Sequence, residues 1–337
     1  MPLDATGELS GDTARVVPGP SSSPLVSVII PCYRQAHFLS DAIESALAQS
    51  YPSVEVLVID DGSPDDTRAV ATRYAGVRYI EQEHGGLAAA RNTGLAQSRG
   101  EFVVFLDADD RLLPGALHVN AALLLSNAAL GFVAGASHFI TRDGAKIETD
   151  TRAWPTGDIY AALLRRNRIR MPGMVMFRRS VFGQAGLFDS SVDACADYDV
   201  YLRVSRLFPV AFHDTSVAEY RRHTDNMSLD AALMLRTISR VVRQQRPYVR
   251  EHAIRRAALE EGLRGIRGYY SDQLAERIRQ RVRARTALRS AAVDALWLLV
   301  LHPRGFFTHV VRKTVNSGRK APPDDKPDGN VVVSRSA

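Results

Sequence analysis

The chain has 337 residues, 45% of them hydrophobic and 24% charged, an ordinary balance for a globular protein with a real core. Its two cysteines, Cys32 and Cys195, lie far apart without CxxC spacing, which argues against a disulfide framework or zinc site and for a reducing, cytoplasmic setting. Net charge is +6, and the nearest candidate for a membrane-spanning run, 291–301, carries Asp294 and falls short of the ~18 apolar residues such a helix needs.

Residues 1–23 hold no basic stretch followed by an apolar one, so they do not read as a secretory signal; their Gly, Pro and Ser predict a disordered leader. "VSVIIPCY" (26–33) predicts a buried strand, and "SDAIESALAQ" a helix that Ser40 or Asp41 can cap. A second strand, "VEVLVIDD", ends in acids and a Gly-Ser-Pro turn, and "TRAVATRYA" predicts the next helix. "VRYIEQ" is a third strand, "GGLAAARNTGLAQS" a helix opened by two glycines, and "EFVVFLDADD" a fourth strand. Four alternations of apolar strand and helix predict an α/β fold, a mostly parallel sheet covered by helices on both faces.

Beyond residue 115 the pattern loosens. "LGFVAGASHFI" and "RMPGMVMFRRSVF" predict further strands, the methionines reading as core, and "DYDVYLRVSRLF" predicts a helix. After 228 the pattern is helical, with Leu259, Leu263, Ile266, Tyr270, Leu274, Ile278 and Val282 in one apolar stripe. Between Arg236 and Arg289 stand fifteen arginines against five acids, a local balance of +10 that leaves −4 for the rest. A solvated helical face is the ordinary reading of such a run. Trp297, Leu298, Leu299, Phe306 and Phe307 favour attachment to an anionic membrane surface instead.

Ligands of open parallel sheets bind outside the carboxyl ends of the strands. Here those ends carry Cys32-Tyr33, Asp60-Asp61 and Asp107-Ala108-Asp109-Asp110. Aspartates also cap turns, but a D-x-D closing the fourth strand offers hard oxygen ligands to Mg²⁺ or Mn²⁺ that also holds phosphates.

"VSVIIPCYRQAHFLSDAIESALAQSYPSVEVLVIDDGSPDDT", "GGLAAARNTGL" and "GEFVVFLDADD" together resemble the family 2 glycosyltransferases of the GT-A fold, over about residues 24–228. The resemblance implies a metal-dependent, inverting transfer of a sugar from a nucleotide-sugar donor, usually a UDP-sugar, to an acceptor saccharide or lipid-linked saccharide. It implies that Asp61 accepts a hydrogen bond from the base and that Pro31 and Tyr33 line the base and ribose pocket. Arg91 would lie near the base and phosphates, Asp107 near the ribose, and Asp109 on the metal. In "CADYDVYLR" (195–203) Ala196 stands where the family has glutamate, while Asp197 keeps the place of the catalytic base; an N-cap is its alternative role, and a helix-start role is at least equal for Asp199. "YRRHTDNMS" resembles the family's closing run, with His223 as a metal or diphosphate ligand and Arg221 or Arg222 neutralising phosphate. His84 stands where the family often has asparagine and reads as a loop residue, and Gly173 would allow close substrate approach.

The implied organisation is a leader (1–23), a GT-A catalytic domain (24–228), a basic α-helical C-terminal region (229–315) and a disordered tail (316–337). The implied site is cytoplasmic, at the inner face of the cell membrane. A nucleotide-sugar binder without activity remains a second reading. A nucleic-acid binder using the arginine-rich helices is weaker, because no recognition motif accompanies them.

Overall fold

In the computed structural model, which describes residues 23–149, 153–224, 226–284, 288–301 and 303, the N-terminal half follows the apolar runs closely. The elements are β1 (Val26–Cys32), α1 (Ala36–Leu47), β2 (Val54–Asp60), α2 (Thr67–Ala71), β3 (Val77–Glu81), α3 (Leu87–Gln97) and β4 (Phe102–Phe105). There follow β5 (Arg111–Leu112), α4 (Ala116–Ser126), β6 (Phe132–Ile140), β7 (Lys146–Thr149), α5 (Ile159–Arg165), β8 (Val175–Arg178), α6 (Phe182–Ala185), α7 (Ala196–Leu207) and β9 (Val210–Arg221). Helices α8 (Ala231–Gln244), α9 (Arg246–Val249), α10 (Ala253–Arg283) and α11 (Leu288–Leu301) are the last elements among the described residues. Most of the expected leader (1–22), the tail 316–337, Phe306 and Phe307 lie outside the described residues.

By compactness the described residues form two units: those within 1–155, 168–190 and 200–223 in the first, and those within 156–167, 191–199 and 224–337 in the second. The first holds a nine-stranded sheet in the order β3-β2-β1-β4-β8-β6-β9-β5, with β7 on β6. Strands β3, β2, β1 and β4 are parallel; β8 is antiparallel to both β4 and β6, and β9 runs parallel to β6. Every residue of β1 and β4 is buried, which is why these strands read as continuous apolar runs. Cys32 pairs with Asp60 and Ile29 with Phe105, so the carboxyl ends of β1, β2 and β4 open on one edge.

Helix α3 lies on β1 through Gly94. A Cβ there would sit 2.2 Å from Ile29 Cγ2 and 3.1 Å from Ile59 Cγ1. Gly94→Ala is therefore expected to cost about 1–3 kcal/mol by overpacking, read as a lower urea midpoint at unchanged slope.

Two local expectations are corrected. Helix α1 starts at Ala36, not near Ser40, because Asp65 Oδ2 accepts from Ala36 N at 3.0 Å and caps it across the chain. Gly173 is buried, its Cα facing Met171, Leu106 and Ala218, so it serves close packing and not substrate approach. Met171, Met174 and Met176 are core residues, each at most 1% exposed.

The second unit is helical. Ala231 and Leu235 of α8, Leu274, Ala275 and Ile278 of α10, and Leu298 of α11 form one cluster. The expected stripe of α10 holds except at Val282, which is 53% exposed. Helix α10 meets α5 at Gly262, where a Cβ would lie 2.0 Å from Leu164 O. Arg255 pairs with Asp158 and so offsets part of the basic surplus, while Arg246 pairs with Glu260 and Glu261 with Arg165.

Candidate active site

At the end of β2, the Asp61 carboxylate is buried and fully engaged. Its Oδ1 accepts from Gln82 Nε2 (2.7 Å) and Gly85 N (2.8 Å), its Oδ2 from Gly86 N (2.9 Å), and His84 Nδ1 lies 2.8 Å from Oδ2. Gly86 has φ 90°, a conformation open chiefly to glycine, which lets the chain lay two successive N–H groups on the carboxylate. His84 stacks on Tyr33 with ring centroids 4.1 Å apart. It lies in the loop before α3, as expected, and from there contacts both Asp61 and Tyr33. Pro31 is buried in β1 opposite Ile59, while Tyr33 emerges at 36% exposure. Arg34 is the one non-glycine residue with positive φ (57°) among the described residues, and its guanidinium lies 5.1 Å from the Tyr33 ring centroid.

On the β4 side, Arg91 of α3 is buried and donates from Nη2 to Asp107 Oδ1 at 2.7 Å. Its neighbour Asn92 exchanges two 2.9 Å hydrogen bonds with the Phe188 backbone, and the Arg91 guanidinium stands 5.6 Å from the Phe188 ring centroid. Helix α3 is thereby clamped where its arginine must meet the turn.

The D-x-D turn closes with Asp110 N donating to Asp107 O at 3.0 Å. Asp109 is 8% exposed, and its Oδ2 lies 2.8 Å from His223 Nε2. The two are 114 residues apart and meet because β9 pairs antiparallel with β5, Arg111 opposite Glu219. Phe38 supports the imidazole, ring centroids 5.0 Å apart. Burial pushes Asp107 above the usual carboxylate range; Arg91 opposes this and Asp109 adds to it. Burial, then Asp109 and Asp107, push Asp110 well above that range, and Asp110 Oδ2 is buried without a hydrogen-bond partner. Massed acids that resist ionisation suit a bound cation, which would reverse the balance.

Among the described residues no group of three or more His, Cys, Asp or Glu converges on one metal position. Mg²⁺-type sites commonly take one or two protein ligands and complete their shell with substrate phosphates and water. Asp109 and His223 fit that form.

Arg221 has a different place from the phosphate contact expected of it. It is buried, donating from Nε to Asp109 O (2.7 Å), from Nη1 to Arg142 O (2.7 Å) and from Nη2 to Asp41 Oδ2 (2.6 Å), while its N–H donates to Asp110 Oδ1 (2.9 Å). It locks the D-x-D turn from behind. Arg222 lies 3.1 Å from Glu148 and over the Phe139 ring. Arg221→Gln is expected to lower the melting temperature, since each buried acceptor left unmatched costs about 1–3 kcal/mol; a raised KM at unchanged stability would restore the phosphate role.

Asp197 belongs to the second unit, half-buried in the first turn of α7. Tyr198 anchors that turn, its hydroxyl donating to Leu163 O at 2.6 Å. Ala196 is 0% exposed; a glutamate there would have to bury its charge. Asp199 is 4% exposed in the same turn.

The family model described as Glycosyl transferase family 2 matches residues 27–186. An uncharacterized glycosyltransferase of Rickettsia typhi is 30% identical over 225 residues, 63% of this chain and 68% of that protein. One of Rickettsia felis is 31% identical over 214 residues, 61% of this chain but only 35% of the longer relative. Among solved structures, Staphylococcus aureus TarS 1–349 in complex with UDP-GlcNAc superposes with TM-score 0.61 at 17% identity, covering 89% of this chain and 94% of that one. The mannosyltransferase PcManGT of Pyrobaculum calidifontis, in complex with GDP-Man and Mn²⁺, gives TM-score 0.56 at 20% identity, covering 88% and 87%. These likenesses match the sheet and its helical C-terminal region to the GT-A fold. With the family's segments occupying the carboxyl edge of this sheet, the chain belongs to glycosyl transferase family 2.

Proposed function

We propose that this glycosyltransferase moves a sugar, of the hexosyl type, from a UDP-sugar to a hydroxyl of an acceptor saccharide or lipid-linked saccharide, with inversion and in a single displacement. The observation that carries the reading is the Asp109–His223 pair at 2.8 Å beside the Arg91–Asp107 bond at 2.7 Å. It supports a cation position next to a buried arginine, the pairing that a diphosphate calls for. Asp109 and His223 hold Mn²⁺ or Mg²⁺; when bound, the metal offsets charge on the leaving diphosphate. Arg91 and Asp107 orient the donor near its phosphates and ribose. Pro31 and Tyr33 line the base pocket, where Asp61 takes a base N–H by exchanging one present partner, His84 being the exposed one. Asp197 accepts the proton of the attacking hydroxyl. A GDP-sugar is the second donor reading, favoured by the GDP-Man complex of the structural neighbour.

The catalytic domain in this reading is 24–228, followed by the basic helical region 229–315. The enzyme works in cell-surface polysaccharide or glycolipid synthesis, in the cytoplasm at the inner face of the membrane and held there peripherally. No described helix is long and apolar enough to cross a membrane, and the +10 balance over Arg236–Arg289 supports attachment to anionic lipid. The deciding experiment measures nucleotide release from a panel of UDP- and GDP-sugars with Mn²⁺, with chelator, and with saccharide acceptors. Acceptor-stimulated, chelator-sensitive release of one nucleotide is expected; release from no donor would leave only a nucleotide-sugar binder.

A further inference from the structure

Helix α11 is built the wrong way round for a helix that faces water. Ala291, Asp294 and Leu298 are turned inward, at 4%, 5% and 0% exposure. Val293, Leu296, Leu299 and Val300 face outward at 53%, 61%, 38% and 63%. Asp294 is the helix's one acid. It is bonded by Arg277 through Nε (2.8 Å) and Nη2 (2.7 Å) and by Arg281 through Nη1 (2.7 Å). The helix therefore shows solvent an apolar face and no negative charge.

Cations border that face. Exposed Arg289 precedes Val293, Leu296 and Val300 at helical spacing, and exposed Arg236 of α8 stands 5.1 Å from the Trp297 ring centroid. The chain that follows, 304–320, adds five basic residues and no acid. The 14 described residues of the helix extend about 21 Å, and among the described residues no helix is long and apolar enough to cross a membrane.

We propose that the outward face of α11 docks on an anionic lipid surface. The helix lies in the interface plane, with Val293, Leu296, Leu299 and Val300 at the acyl boundary and Arg289 and Arg236 among the headgroup phosphates. A second copy of the chain would bring the same arginines against one another, and the 304–320 segment would bring more of the same charge; lipid phosphate complements both. The apolar patch expected from sequence is redrawn, since Leu298 belongs to the core and Trp297 is half-buried. This inference rests on the peripheral attachment proposed above and names the surface responsible.

The test uses the full chain. Wild type should sediment with phosphatidylglycerol-containing vesicles at low salt, be released at high salt, and stay in solution with phosphatidylcholine alone. Val293→Glu with Leu296→Glu should lower the partition coefficient at least tenfold, with unchanged nucleotide affinity and melting temperature. Should that pair fail to fold, Val293→Ser with Val300→Ser carries the same readout. Wild-type binding retained in a folded variant overturns the α11 assignment and leaves peripheral attachment standing. Wild type that binds no vesicle overturns both. A wild-type dimer by light scattering that the Glu pair dissolves, without vesicle binding, would make the face a contact between copies.

Discussion

Asp109→Ala is expected to abolish sugar transfer and Mn²⁺-dependent nucleotide binding while the protein stays folded. In the proposed reading its carboxylate and His223 are the cation's protein ligands, and one imidazole alone is a poor site for a hard ion that favours oxygen ligands. The fold should survive for two reasons. Arg221 grips the turn through the Asp109 carbonyl and the Asp110 carboxylate, not through the Asp109 side chain. Asp109 is also among the charges that push Asp107 and Asp110 up, so its removal relieves repulsion. Nucleotide release, nucleotide titration with and without Mn²⁺, and a melting curve make the check. Undiminished turnover would end the metal-dependent reading.

Asp197→Asn should lower turnover by the ~10²–10⁴ typical of losing a general base, with donor affinity close to wild type. The amide keeps the shape of the carboxylate but cannot take a proton from the acceptor hydroxyl. Tyr198, bonded to Leu163 O, and buried Ala196 hold the turn, so the substitution leaves its scaffold in place. Single-turnover kinetics beside donor titration separates the roles: lost donor affinity with preserved turnover would make Asp197 a binding residue.

Much of the sheet was legible because buried parallel strands need apolar side chains on both faces. Strands β1, β2 and β4 and their acidic ends follow directly from that need. Strand β9 was not legible. In "VAFHDTSVAEYR" only Val217, Ala218 and Arg221 are buried, so no alternation marks it, and its partners β6 and β5 lie some 80 to 110 residues away. The role of Arg221 was hidden for the same reason, since a guanidinium in a sequence does not reveal whether it will meet phosphate or carbonyls.

The sequence alone determined the order of strands and helices from β1 to β4, the acids at the strand ends, the apolar stripe of α10 and the basic surplus of the C-terminal region. Each is written in the type and period of neighbouring side chains, and burial acts on that period directly. Tertiary structure decided which groups meet. It brought Asp65 to cap α1, His84 to Asp61 and Tyr33, and His223 to Asp109, and it turned Leu298 inward and Leu296 outward. A hydrogen bond forms only when two groups come within about 3 Å, and which distant segments come that close is settled by strand pairing and helix packing, to which the local pattern is blind.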